Sequence, residues 1–340
     1  MNPIKKYPEM VSEAIRASKK INLPKFDFDK IVFFAIGGSA IVGYFIKDML
    51  KYDCKKPIEV FIDYRIPKFV DKKTLAVLIS YSGNTEEPLS QFVEALNRKC
   101  KIIGVTSGGK LEEWCTKLKL PLIKVPGGYE PRYAAPLMLI PLVAYFEKIG
   151  LGKFKKDVNE CIGALKKINH SELDRIANNL NGRDIAVYGP NDFDGVVRRF
   201  KNDFNENSKL LIACNTFPEM DHNDIDGFEI PENNRNRVVL LLRDRDESFE
   251  MKNRIDITRD VIRKNVKSIN EVYAVGKSRL AKIVSLIYMS GYITCKIAEL
   301  NNLDPKETKL LHEMKKQMKA KVNLVERLEK KLKLPKKLLI

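Results

Sequence analysis

The chain has 340 residues, 44% of them apolar, which is enough for two domains with a core each. No apolar run in the sequence reads as long enough to span a bilayer, and residues 1–8 lack a signal-peptide core, so a cytoplasmic protein with no membrane partner is expected. The net charge of +17 raises nucleic acid as a partner, but residues 315–340 hold ten Lys/Arg against two Asp/Glu, hence 10 − 2 = +8 of it, with no aromatic side chain among them to stack on bases; no nucleic-acid partner is expected.

In chain order, residues 7–21 have the apolar spacing of a helix. Residues 31–36 form an apolar strand that ends at Gly37-Gly38-Ser39, and 40–50 read as a helix. Strands follow at 58–62 and 75–79, then the turn Ser80-Tyr81-Ser82-Gly83-Asn84-Thr85 and a helix over 86–97. A strand at 101–105, a short helix at 111–118, a strand at 122–125, a loop at 126–132 and a helix at 133–149 continue the alternation. Strands alternating with helices predict an α/β fold with a parallel, doubly wound sheet. Ligands of such sheets bind beyond the strand C-termini at the switch point, where the loops at Gly37 and Ser80 both fall.

A second unit of the same kind begins near residue 153. Helices are expected over 154–168 and 171–180, a strand over 184–188, a helix over 195–205, strands over 210–213 and 238–242, a helix over 250–264, a strand over 271–275 and a long helix over 279–300. Asp304 as N-cap and Pro305 at the first helical position start another helix. In the Lys/Leu-rich tail, 319–340, Val322, Val325, Leu328 and Leu332 form one apolar face, suited to packing on the parent fold or a sister subunit. The expected domains are therefore 1–152, 153–302, and a C-terminal helix with a basic tail over 303–340.

The stretch with most chemistry in it is the strand-to-helix turn after Ile79. Ser80, Ser82 and Thr85 place three hydroxyls beside the N–H groups of a helix start, which makes an anion site. Gly83 would let the backbone approach a ligand. No Lys follows as in a P-loop, so a phosphate monoester fits better than a nucleoside triphosphate with magnesium. Ser82 and Thr85 serve equally well as helix caps, and spacing alone does not separate the two readings. Gly37, Gly38 and Ser39 would likewise permit close approach to a ligand; their spacing is not the G-x-G-x-x-G of a dinucleotide turn. The six cysteines include no C-x-x-C pair and read as buried thiols in a reducing compartment. The three histidines lie far apart in sequence, so no metal site is expected.

Further candidates are isolated. Glu206 lies between Asn205 and Asn207, amides able to hold a carboxylate; on the sequence alone a solvated Glu is the commoner reading. His222 sits among the turn formers Pro218, Asp221 and Asn223, on a loop where an imidazole can both give and take a proton. Arg132 follows Pro131 on the loop after a strand.

The octapeptide S-Y-S-G-N-T-E-E from Ser80 to Glu87 resembles the phosphosugar-binding loop of sugar isomerase (SIS) domains. Together with Ile36-Gly37-Gly38-Ser39-Ala40, Pro131-Arg132, Asn205-Glu206-Asn207 and Pro218-Glu219-Met220-Asp221-His222-Asn223, it resembles the bifunctional phosphoglucose/phosphomannose isomerases, a family with two flavodoxin-like SIS domains. The resemblance implies interconversion of glucose 6-phosphate and mannose 6-phosphate with fructose 6-phosphate by a cytoplasmic homodimer that needs no cofactor or metal. It implies that Ser80, Ser82 and Thr85 hold the phosphate, that Gly37, Gly38 and Ser39 approach the sugar, that Glu206 is the base, that His222 opens the ring and that Arg132 holds charge on the enediolate. It leaves open whether His222 serves its own subunit or the neighbouring one. The family's C-terminal lysine falls on Lys315, in Asp304-Pro305 … Met314-Lys315, with Met314 where Leu is usual and with Lys309 and Lys316 close by as alternatives. Thr308, seven residues before Lys315, stands where glucose-only relatives carry glutamine, which implies room for both C2 epimers. Such chains usually end soon after the lysine, whereas this one continues. A phosphosugar-binding regulatory protein without catalysis is the alternative; a sensor would have no need of Glu206 and His222.

Overall fold

The computed structural model describes residues 3–332. The chain forms two compact units: Glu13–Lys153 with the chain from Thr308 onward, and Phe154–Glu307 with the N-terminal residues as far as Ser12.

Helix α1 (Tyr7–Ser18) precedes strand β1 (Lys30–Phe34). There follow α2 (Ala40–Leu50), β2 (Ile58–Phe61), β3 (Thr74–Ile79), α3 (Glu86–Asn97), β4 (Lys101–Thr106), α4 (Gly109–Lys117), β5 (Leu122–Lys124) and α5 (Ala135–Lys148). The strands form one sheet in the order β2-β1-β3-β4-β5, every pairing parallel. This is the flavodoxin-like order, and it places β1 and β3 side by side at the switch point, with Phe34 opposite Leu78. All six residues of β3 are buried, as a parallel strand covered on both faces requires. On one face Val32, Phe34, Ala76 and Leu78 pack against Leu89 and Phe92 of α3 and Trp114 of α4. On the other, Phe33 meets Phe146 of α5 edge-on at 6.2 Å, and a Cβ on Gly43 of α2 would come within 2.9 Å of Phe33.

The second unit contains α6 (Lys155–Lys166), α7 (His170–Leu180), β6 (Asp184–Pro190), α8 (Asp194–Asn207), β7 (Ala213–Phe217), β8 (Arg237–Arg243), α9 (Phe249–Ile262), β9 (Ser268–Tyr273) and α10 (Arg279–Leu300). Its sheet runs β7-β6-β8-β9, again all parallel. Contrary to the sequence expectation, α10 is long and apolar enough to cross a bilayer, but 78% of its apolar window is buried and it packs against α6, α7 and α8, which makes it a core helix.

Strand β7 begins three residues later than expected. Lys209, at φ +60°, turns the chain after α8, and the half-polar run Ala-Cys-Asn-Thr-Phe pairs with β6 in place of the apolar residues just before it. The helix expected from Asp304 starts at Lys309 as α11 (Lys309–Lys321); Asp304 accepts from Lys306 N, which holds only a turn. Near Asn323, at φ +44°, the tail breaks, and α12 (Leu324–Leu332) carries Val325, Leu328 and Leu332 onto the cluster around Phe92 and Trp114. The part of the tail beyond Leu332 lies outside the described residues.

The compact units are not the linear segments 1–152, 153–302 and 303–340 at their ends. Ile4 packs so closely on α10 that a Cβ on Gly291 would meet it at 2.6 Å, and the rings of Tyr7 and Tyr288 lie 5.7 Å apart. At the other end, Leu328 joins the apolar cluster built by α3 and α4.

Candidate active site

Beyond Ile79 the chain leaves the sheet as Ser80 N donates to Val105 O. Ser80 Oγ and Thr85 Oγ1 lie 2.8 Å apart, and Gly83 N donates to Ser80 Oγ at 3.1 Å. Ser82 Oγ accepts from Asn84 N. Thr85 occupies the N-cap position of α3, but its side chain makes no cap bond. Its hydroxyl turns to Ser80 instead, so Thr85 does not cap the helix through its side chain. The Ser80 and Thr85 hydroxyls point to one another at a helix start, where the N–H groups favour an anion.

Gly83 has a role other than the expected approach to a ligand. At φ +71°, a Cβ there would lie 1.8 Å from Gly108 O, so this glycine lets the loop after β3 meet the loop after β4. Gly38 is similar: its Cβ would come 3.2 Å from Arg132 Cα, so it admits the Arg132 backbone. Gly37, at φ +56°, has nothing within 4 Å of that position. Ser39 Oγ accepts from Tyr81 N, which fastens the turn after β1 to the hydroxyl loop. Arg132 is buried, with its guanidinium 5.1 Å from the Tyr133 ring centre. Gly38, Ser39, the hydroxyl loop and Arg132 are thus gathered at the switch point of one sheet.

A cavity of about 650 Å³ opens beside the loop, with Ser82, Asn84, Thr85, Lys110, Lys315 and Lys319 in its wall. Of the three C-terminal lysines, Lys315 is in the lining with Ser82 and Thr85, and Lys309 and Lys316 are not. Glu86 and Glu87 also border the cavity, and burial first, then the charge of Glu87, pushes the Glu86 carboxyl above its ordinary range. Thr308 holds the N-cap position of α11, with Oγ1 3.4 Å from His312 Nδ1, and is not part of this wall. Lys319 and Lys110 were not singled out by sequence reasoning. The signal for Lys319 was its position four residues after Lys315, one helical turn on.

Glu206 and His222 belong to the other unit, on separate elements. Glu206 is the penultimate residue of α8 and is half-buried. Of the flanking amides, Asn207 Nδ2 donates to Thr294 Oγ1, and the Asn205 amide, oriented to satisfy its neighbours, donates to Leu210 O and Lys201 O, which ties down the helix end. Lys209 Nζ reaches Glu206 O at 2.5 Å and Glu307 O at 2.7 Å. Beneath, buried Arg199 pairs with Asp203 at 2.8 Å. Burial opposes the Arg199 charge, but Asp203 outweighs it, with help from Tyr7 and Glu206, and the pKa is raised.

His222 ends a short 3-10 turn (Glu219–His222) and is exposed. The turn is pinned on both sides: Asp221 accepts from Thr258 Oγ1 at 2.8 Å and pairs with Arg254 at 3.0 Å, while Asn223 Nδ2 donates to Glu219. The result is an imidazole presented to solvent from a fixed base.

In the second sheet β8 takes the place that β3 takes in the first. No hydroxyl loop follows it. Arg243, with a side chain 2% exposed, binds Glu247, Asp256 and Glu271 at 2.8–2.9 Å, and Lys282 binds Asp244 and Asp246. Burial would lower the Arg243 pKa, but the bonds to Glu247 and Asp256 raise it overall.

Two parallel flavodoxin-like sheets, one with a hydroxyl loop at its switch point, define the class of phosphosugar-handling SIS proteins. The model of the bacterial phospho-glucose isomerase C-terminal SIS domain matches residues 169–318. The bifunctional phosphoglucose/phosphomannose isomerase of Caldicellulosiruptor bescii is 34% identical over 326 residues, covering 92% of this chain and 96% of that one. The enzyme of the same name from Thermoplasma volcanium is 34% identical, covering 91% and 97%. The chain belongs to the bifunctional phosphoglucose/phosphomannose isomerase family. A more distant relative, the D-glucosamine-6-phosphate 4-epimerase of Sulfolobus acidocaldarius, is 28% identical over 83% of this chain and 87% of its own. Among solved structures, the C-terminal domain of glucosamine-fructose-6-phosphate aminotransferase from Francisella tularensis superposes with a TM-score of 0.67 at 15% identity, covering 89% of this chain and 96% of that one. Glucosamine-6-phosphate deaminase from Thermotoga maritima gives 0.65 at 15% identity, covering 90% and 97%. These two likenesses speak to the fold.

Proposed function

We propose that this chain interconverts glucose 6-phosphate and mannose 6-phosphate with fructose 6-phosphate through an enediol, as a cytoplasmic homodimer that needs no metal or cofactor. What supports the reading is the shared cavity lined by Lys315, Ser82 and Thr85, in a chain 34% identical to isomerases of that name.

The phosphate is held by Ser80, Ser82 and Thr85, whose hydroxyls donate while the helix start adds its positive end. His222 protonates the ring oxygen and takes the proton of the anomeric hydroxyl, which gives the open-chain aldehyde. Glu206 then removes the proton from C2. The electron pair moves into a C1–C2 double bond, and the carbonyl oxygen becomes an enediolate oxygen, which the cations of Arg132 and Lys315 stabilise. The proton on the C2 oxygen passes to the enediolate oxygen on C1, Glu206 returns its proton to C1, and C2 becomes the ketone carbon of fructose 6-phosphate. Gly37, Gly38 and Ser39 line the approach of the sugar. Since both aldoses lose their C2 stereocentre in one enediol, a single base serves both.

The test is to assay purified protein with each hexose 6-phosphate in excess chelator, with glucosamine 6-phosphate as a third substrate. Equilibration of both aldoses with fructose 6-phosphate is expected. Activity only on the amino sugar, or activity lost on chelation and restored by a divalent metal, overturns the reading.

A further inference from the structure

Past Lys316 the C-terminal arm continues as the rest of α11 and then as α12. No side chain of α11 is buried, whereas the helix after it is seated in the fold. Leu328 of α12 is 4% exposed in the cluster that contains Phe92 and Trp114, with Leu324, Val325 and Leu332 packed around it. Glu329 pairs with Lys110 at 2.6 Å, and Asn323 Nδ2 donates to Glu326 at the break between the helices. Thus α11 is held at its far end by a seated helix.

The arm changes the charge around the hydroxyl loop. The loop's own border carries Glu86 and Glu87, which oppose a phosphate dianion. Lys110 is engaged by Glu113 and Glu329. The cations that α11 brings to the same wall are Lys315 and Lys319, on one face of the helix, with Glu326 beyond them.

We propose that α12 is the anchor of the phosphate-binding wall, and that Lys319 is a second phosphate-binding cation one turn beyond Lys315. This rests on the reading that Ser80, Ser82 and Thr85 hold the phosphate. The arm is then a part of the substrate site, and substrate phosphate and arm stabilise one another by linkage.

Trp114, the chain's single tryptophan, reports on the anchor from inside the cluster that holds Leu328. In the full-length protein, inorganic phosphate should reduce acrylamide quenching of Trp114. Leu328→Asp should raise that quenching and weaken phosphate binding about tenfold, whereas Leu328→Met should leave both unchanged. Lys319→Met, on the surface, should leave Trp114 quenching of the phosphate-free protein unchanged while raising the phosphate Kd and the KM for fructose 6-phosphate by about tenfold, the loss of one charge-assisted hydrogen bond. If Lys319→Met binds phosphate as the parent does, or phosphate leaves Trp114 quenching unchanged, the proposal falls. The paired variant Ser80→Ala, Thr85→Val separates the two claims. If it weakens phosphate binding while Lys319→Met does not, only the arm proposal fails; if it has no effect, the loop reading fails and the arm proposal with it.

Discussion

Gly83→Ala is the substitution whose cost the structure lets one work out most directly. The added Cβ would lie 1.8 Å from Gly108 O, against the 3.0 Å below which such contacts essentially never occur, so the two loops must part by at least 3.0 − 1.8 = 1.2 Å. Both sides are backbone, and neither yields as a flexible side chain would. The left-handed φ of +71° adds about 1–2 kcal/mol for any residue with a Cβ. Forced separation of packed groups adds about 1–3 kcal/mol. The expected destabilisation is therefore about 2–5 kcal/mol, read as a fall in melting temperature of roughly 5–15 °C. A shift above 1 Å also breaks the 3.1 Å bond from Gly83 N to Ser80 Oγ, so phosphate binding should weaken by about tenfold or more. Gly37→Ala is the control: φ is +56°, but nothing lies within 4 Å, so only the left-handed cost of about 1–2 kcal/mol applies. Melting curves and phosphate titrations of the two variants test the reasoning. If Gly83→Ala melts and binds like Gly37→Ala, the loop contact does not organise the hydroxyls.

Glu206→Gln should lower isomerisation by ~10²–10⁴-fold or more while phosphate binding survives, because the amide keeps the shape and loses the base; near-normal turnover would remove Glu206 from that role. His222→Ala should be impaired chiefly in ring opening, so its defect on an acyclic hexose 6-phosphate analogue should be smaller than on the cyclic sugar, and equal defects would point to positioning instead. Thr308→Gln tests the epimer tolerance that the family resemblance implies for a residue outside this cavity wall: mannose 6-phosphate turnover should fall several-fold more than glucose 6-phosphate turnover, and parallel changes on both aldoses would end that account.

The sheets were legible because parallel strands buried on both faces read as unbroken apolar runs, as in Leu75 to Ile79 and Val238 to Leu242. Strand β7 was placed too early because its half-polar sequence sits beside a more apolar decoy, Leu210–Leu211–Ile212, that the turn at Lys209 keeps out of the sheet. Local pattern also said nothing of where the chain's ends pack, which depends on Ile4 meeting Gly291 and Leu328 meeting the Trp114 cluster across more than 200 residues of sequence. In the candidate site, residue types were more legible than partners. The hydroxyl loop was recognised from Ser80, Ser82 and Thr85, yet the close approach of Gly83 to Gly108, that of Gly38 to Arg132 and the bond from Asn207 to Thr294 were not, because those neighbours come from distant parts of the chain.

The guanidinium–carboxylate cluster at the end of β8 bears on stoichiometry. Arg243 supplies the positive charge an anion would seek, but three carboxylates of its own chain already saturate it, and Lys282 is committed to Asp244 and Asp246 in the same way. An incoming phosphate would have to displace these internal counter-ions and would meet their repulsion at short range. The two similar halves are therefore unequal as hosts: one carries the hydroxyl loop at its switch point, the other has filled the same place with its own side chains. On the proposed reading, a polypeptide with two such sheets is expected to bind one phosphate equivalent, its second half being released to contribute other chemistry.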